Sequence, residues 1–171
     1  LLSEGLVKVS DFDQIEPNLA SSWDINNDAT IFKFYLRDNI YWVDGSPIKA
    51  SELSLNIPDV EITIPDDRTI QFKLKEPYSP LPSLLTKPIF KKGTLIGTGP
   101  YRLDRIEKSR IFITKLTLTS KDTHLPKLLI RFYPNEKVAI AGFSLGEVQT
   151  LLGMSSPDAV EKNHQMKDKK I

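Results

Sequence analysis

Phe32, Phe34 and Leu36 alternate with Lys33, Tyr35 and Arg37. This period-two pattern constrains the chain more than any other feature. Successive side chains of a strand point to opposite faces, so such alternation suits a strand with one buried side. Val60, Ile62 and Ile64 repeat the pattern, as do Ile70, Phe72 and Leu74. Pro65-Asp66-Asp67-Arg68 lies between these two runs. Proline presets φ and aspartate bonds its own backbone, so residues 59–75 are expected to form a β-hairpin. Further strands are expected at 6–9, 101–106, 111–119 and 128–133. Phe32, Phe34, Leu36, Ile70, Phe72 and Leu74 are expected to be buried on one side of the sheet.

Helix signals are fewer. Residues 135–145 read as a helix with Val138, Ala141 and Leu145 on one face and Gly146 as its stop. A second helix is expected over 157–165, with Ser156 as N-cap, Pro157 in the first helical position, and Asp158 and Glu161 near its positive end. The chain holds 12 prolines; Pro77, Pro80, Pro82 and Pro88 make residues 76–90 an irregular connection rather than a long helix. The expected fold class is therefore α/β or α+β, strand-rich, with a mixed sheet.

With 171 residues the chain can bury a real core. A formal net charge of +1 gives no whole-chain field for nucleic acid, and no nucleic-acid partner is expected. The basic stretch 162–170 reads as a solvated end. There is no cysteine, which excludes disulfides, thiolate metal sites and thiol nucleophiles. No apolar run approaches the ~18 residues that span a bilayer. No export signal is visible; the chain opens at Leu1 within an ordered-looking segment, and the expectation is that the true N-terminus lies upstream.

No catalytic constellation stands out. His124 and His164 sit in no metal-binding pattern and read as surface residues. Asp66-Asp67 and the Asp11/Asp13 pair fall in turn contexts, which explain them better than paired-carboxylate chemistry. Ser144-Leu145-Gly146 lacks the first glycine of a nucleophile elbow. Gly97-Thr98-Gly99-Pro100 has no following Lys-Ser/Thr, and Pro100 removes an N–H donor, so it is not a phosphate loop. Trp23 and Trp42 read as core aromatics. Asp44-Gly45 is a turn in which Gly45 is expected to supply a positive φ.

Several blocks, in order, resemble the oligopeptide, dipeptide and nickel family of solute-binding proteins (family 5) that serve ABC importers. Leu2-Ser3-Glu4-Gly5-Leu6-Val7 is similar to the family's L-x-E-G-L-V. Pro17-x-Leu19-Ala20-x-Ser22-Trp23 is similar to P-x-L-A-x-S-W. Asp28-x-Thr30-x-Phe32-x-Phe34-x-Leu36-Arg37 resembles the strand that follows. Trp42-x-Asp44-Gly45-x-Pro47-x-x-Ala50-x-Glu52-Leu53 resembles W-x-D-G-x-P-x-T-A-x-D-V. Asp67-x-Thr69, Phe72-x-Leu74 and Pro77-Tyr78 look like its hairpin and proline segment, residues 97–101 like its G-T-G-P-Y block, and Gly146-Glu147-Val148 like its G-E-V-D. The sequence departs from the pattern in three places. The helical crossover that family members carry between Leu53 and Val60 is short, the segment before the G-T-G-P-Y block is short, and Ser120-Lys121-Asp122-Thr123 stands where N-P-x-Y-W is expected.

The resemblance implies a type II periplasmic-binding-protein lobe. On that reading residues 1–171 are an N-terminal lobe, residues 38–96 a reduced small lobe inserted in it, and the C-terminal lobe is not included. It implies capture of a small peptide or similar solute for ABC permease subunits in the membrane. It also implies no enzymatic reaction, no cofactor, no metal site and a monomer. The location implied is periplasmic or cell-surface, with lipid anchoring of the full-length protein. The ligand-binding residues it carries over are Gly97, Thr98, Gly99 and Tyr101. On this reading Gly97 and Gly99 take positive φ, the loop borders the main concave surface, and Tyr101 packs at its wall with its hydroxyl on a polar partner. A plain turn before a strand remains the alternative for Gly99-Pro100. Two other functions remain open: an enzyme or sensor on the same scaffold, marked by a buried acid with a shifted pKa, and an interaction module that keeps the lobe without transport.

Overall fold

The computed structural model describes residues 1–155. The helix expected at 157–165, the basic stretch at 162–170 and His164 lie outside the described residues. Contacts divide the chain into two units, Leu1–Leu103 with Thr119–Pro126, and Asp104–Leu118 with the residues from Lys127 onward.

The first unit is built around the alternating runs. β1 (Val7–Val9) pairs antiparallel with β2 (Ile15–Pro17). A four-stranded antiparallel sheet follows, made of β3 (Ala20–Ile25), β4 (Ile31–Leu36), β5 (Val60–Asp66) and β6 (Thr69–Leu74) in the order β3-β4-β6-β5. Pairing of Phe32 with Phe72 and of Phe34 with Ile70 sets the register, so one sheet face is continuously apolar. Phe32, Phe34, Ile70 and Phe72 are fully buried and Leu36 nearly so, while Leu74 is partly buried. Phe34 stacks on Trp23 at 5.8 Å and meets Phe72 edge-on at 5.5 Å. The hairpin expected at 59–75 is present, and Asp66 Oδ1 accepts the Arg68 N–H at 2.8 Å across its turn. Ile64 departs from the alternation: it is exposed, because β5 is the sheet edge and its register shifts between Thr63 and Asp66.

Loops close the other side of this core. Trp42 is buried, and its indole N–H donates to Glu52 Oε2 at 3.2 Å. Gly45 has φ +93°, as the Asp-Gly turn requires. A 3-10 turn at Ala50–Glu52 precedes the short connection from Leu53 to β5. The proline segment contains a single helical turn, α1 (Leu81–Leu84), whose Leu81 joins the core. Residues 38–96 lie wholly within this unit, and β5 and β6 share their sheet with β3 and β4.

A third sheet, after the β1-β2 pair and the four-stranded sheet, has the order β7 (Tyr101–Ser109), β8 (Phe112–Ser120) and β9 (Leu128–Arg131); β7 and β8 each have residues in both units. In the second unit, α2 (Glu136–Ser144) is capped at both ends. Asn135 Oδ1 accepts the Val138 N–H at 3.0 Å. Gly146, at φ +77°, donates to the Phe143 carbonyl while Glu147 donates to that of Gly142, a Schellman closure. Val138 and Leu145 are exposed, and Ile140 and Gly142 are the buried residues, because the helix turns its Gly142 side onto Tyr133.

Candidate functional site: the depression beside residues 97–101

Residues 97–101 connect the loop layer of the first unit to β7. Gly97 and Gly99 are buried, Thr98 is half-buried, and Tyr101 is buried. Neither glycine has a positive φ, contrary to expectation. Their requirement is space. A Cβ on Gly97 would stand closer than 3.0 Å to the Leu2 carbonyl oxygen, and one on Gly99 closer than 3.0 Å to that of Leu1. The loop is stitched to the chain's own opening residues. Gly99 N–H donates to Leu2 O at 3.0 Å, Thr98 N–H to Ser3 Oγ at 3.3 Å, and Tyr101 N–H to Leu1 O at 3.3 Å. Thr98 Oγ1 accepts the Glu4 N–H at 3.1 Å, and Gly97 O accepts the Val43 N–H at 2.8 Å. The Tyr101 hydroxyl finds its polar partner in the Pro126 carbonyl, at 3.0 Å.

Both flanks of this loop line an open depression of about 430 Å³. Its wall consists of Val43, Asp44, Leu95, Ile96, Arg102, Leu103 and Lys121, all in the first unit. Ile96 precedes Gly97 and Arg102 follows Tyr101. Gly97, Thr98, Gly99 and Tyr101 are not among the residues that line the hollow; its side chains come from positions the sequence reading did not select. Asp44 is held at one side: its Oδ1 accepts from Ser46 N at 2.8 Å and Ser46 Oγ at 2.6 Å, and Lys91 Nζ lies 3.5 Å from Oδ2. The Ser46 hydroxyl and backbone N–H, and then the Lys91 charge, keep the Asp44 carboxyl below its usual pKa. Arg102 Nε donates to Thr119 Oγ1 at 3.3 Å. The other carboxyls held below their usual range, Asp66, Asp122 and Glu136, lie at the surface and are explained by turn and loop hydrogen bonds. His124 is exposed beside Asp122. Among the described residues no group of three or more His, Asp or Glu side chains could hold a metal, and no helix is long and apolar enough to cross a membrane.

The family model described as bacterial extracellular solute-binding proteins, family 5 Middle, matches residues 14–57 and 52–171. This chain is a family 5 solute-binding protein sequence. The two matched segments overlap at residues 52–57. Dipeptide-binding protein DppE of Bacillus subtilis is 20% identical over 174 residues, covering 74% of this chain and 31% of that protein. The probable D,D-dipeptide-binding periplasmic protein DdpA of Escherichia coli is 31% identical over 81 residues, 39% of this chain and 16% of that one. Among solved structures, NikZ from Campylobacter jejuni, in complex with Ni(L-His), superposes with a TM-score of 0.69 at 22% identity, over 86% of this chain and 37% of that one. DppA from Helicobacter pylori, in complex with the peptide STSA, gives 0.62 at 21%, over 86% and 40%. These structures establish the fold: the family 5 chain described here is a strand-rich α/β assembly of the periplasmic-binding-protein kind. It spans well under half the length of these relatives.

Proposed function

We propose that this chain is part of the solute-capturing subunit of an ABC importer, working outside the cytoplasm on a small peptide or similar solute and passing it to permease subunits in the membrane. The family match over residues 14–57 and 52–171 carries the reading. On this reading the hollow, lined by Ile96 and Arg102 on either side of residues 97–101, is the ligand-facing surface that this chain contributes. No bond is made or broken; affinity comes from enclosing the solute. On this reading residues 1–171 supply one lobe, with 38–96 as its reduced insertion, and lipid anchoring belongs to the full-length protein.

A hollow that is open to solvent leaves much of a ligand in water, so the chain by itself binds weakly. Calorimetric titration with mixed di- to pentapeptides is expected to give saturable binding with a Kd weaker than roughly 0.1 mM. Binding below a micromolar, or no saturable heat at about 10 mM peptide, contradicts the reading.

A further inference from the structure

The hollow has an uneven charge. Its one carboxylate, Asp44, is already engaged by Ser46 and Lys91. Its two cations are not: among the described residues neither Arg102 nor Lys121 has an ion-pair partner within 4.0 Å. The Thr119 hydroxyl engages only Nε of Arg102, and the Nη groups have no partner among the described residues. A guanidinium held at Nε presents a planar pair of donors that matches a carboxylate. Lys121 directly follows Ser120 at the end of β8, and Ser120 Oγ donates to the Pro100 carbonyl at 2.7 Å, which ties that strand end to the loop beside Arg102. Val43, Leu95, Ile96 and Leu103 supply the apolar remainder, and Leu95 is about half exposed.

We propose that this hollow binds a carboxylate attached to an apolar group, with Arg102 and Lys121 holding the carboxylate and Val43, Leu95, Ile96 and Leu103 holding the apolar part. The chemistry is shared by the free C-terminus of a peptide and by an N-blocked amino acid. The proposal rests on the capture reading and narrows it to the ligand's acidic end. Arg102 and Lys121 are both exposed strand-end side chains, so replacing them leaves the buried core untouched.

Backbone amide chemical shifts, titrated with N-acetyl-leucine and with N-acetyl-leucinamide, test it. The acid is expected to move the amides of residues 43–44, 95–97, 101–103 and 121 and to bind at least tenfold more tightly than the amide. Arg102→Gln and Lys121→Gln are each expected to weaken acid binding several-fold and to bring the acid-to-amide ratio toward one. N-acetyl-leucyl-leucine and its C-terminal amide separate the two sources, and the acid preference is expected for both pairs. Equal binding of acid and amide at these amides overturns the carboxylate assignment while the capture reading stands. Inorganic phosphate binding as tightly as N-acetyl-leucine overturns the apolar half of the proposal. Shifts confined to other parts of the chain, with acid and amide alike, overturn the capture reading itself.

Discussion

Gly99 donates its N–H to the Leu2 carbonyl at 3.0 Å, and its Cα lies so near Leu1 that a Cβ would come closer than 3.0 Å to the Leu1 carbonyl oxygen. Gly97 stands in the same relation to Leu2. Both contacts are with backbone, which cannot swing aside as a side chain can. Gly97→Ala and Gly99→Ala are each expected to lower stability by about 1–3 kcal/mol through overpacking. Urea unfolding measures this, and a change under about 0.5 kcal/mol would show that residues 1–3 do not pack on this loop.

The apolar sheet face predicts a larger effect. Phe34→Ala and Phe72→Ala are each expected to cost about 3–5 kcal/mol, because both rings are fully buried. Phe34 touches two aromatic rings, Trp23 and Phe72, so its removal is expected to cost the more of the two. A double-mutant cycle on Phe34 and Phe72 is expected to give a coupling of about 0.5–1.5 kcal/mol. Additive losses contradict the edge-on contact.

Trp42 offers a separate test of the loop layer. Trp42→Phe keeps most of the buried ring but removes the donor to Glu52, and is expected to cost about 1–3 kcal/mol from the lost bond and the small void. Glu52→Gln keeps an acceptor and is expected to cost only a few tenths of a kcal/mol. Equal losses from the two variants would mean that the carboxylate charge matters more than the hydrogen bond.

Asp44 makes stability depend on pH in a defined direction. Its folded pKa lies below the unfolded value, so below about pH 4 the unfolded chain takes up its proton first. The contribution is complete above the unfolded pKa and is lost as pH falls through the folded one. Asp66, Asp122 and Glu136 act with the same sign, so the informative quantity is the difference between wild type and Asp44→Asn. Melting temperature followed from pH 6 to pH 2 is expected to show the wild-type advantage shrinking on acidification. Parallel curves contradict the assignment.

The sheet was legible in the sequence where burial and periodicity coincide. Phe32, Phe34, Leu36, Ile70 and Phe72 sit on a central strand pair, β4 and β6, and their alternation is uninterrupted. β3 escaped because Ser21, Ser22 and Asp24 are polar and exposed, leaving Trp23 as its main apolar contact. The reading of α2 found its bounds, but an apolar stripe of Val138, Ala141 and Leu145 shows amphipathicity and not which neighbour a helix meets. Gly97 and Gly99 were recognised as special from their motif, yet their reason lies in Leu1 and Leu2, nearly the whole first unit away in sequence. Arg102 and Lys121 gave no signal at all. On a strand and just past one, they look like solvated residues until the fold sets them around one hollow.

Amide hydrogen exchange with and without a peptide pool at about 10 mM tests the central claim, that this chain captures a solute at the hollow beside residues 97–101. Slower exchange is predicted at residues 43–46 and 95–103, with the rest of the chain unchanged. Protection confined to α2 and β9, or no protection anywhere, would contradict it.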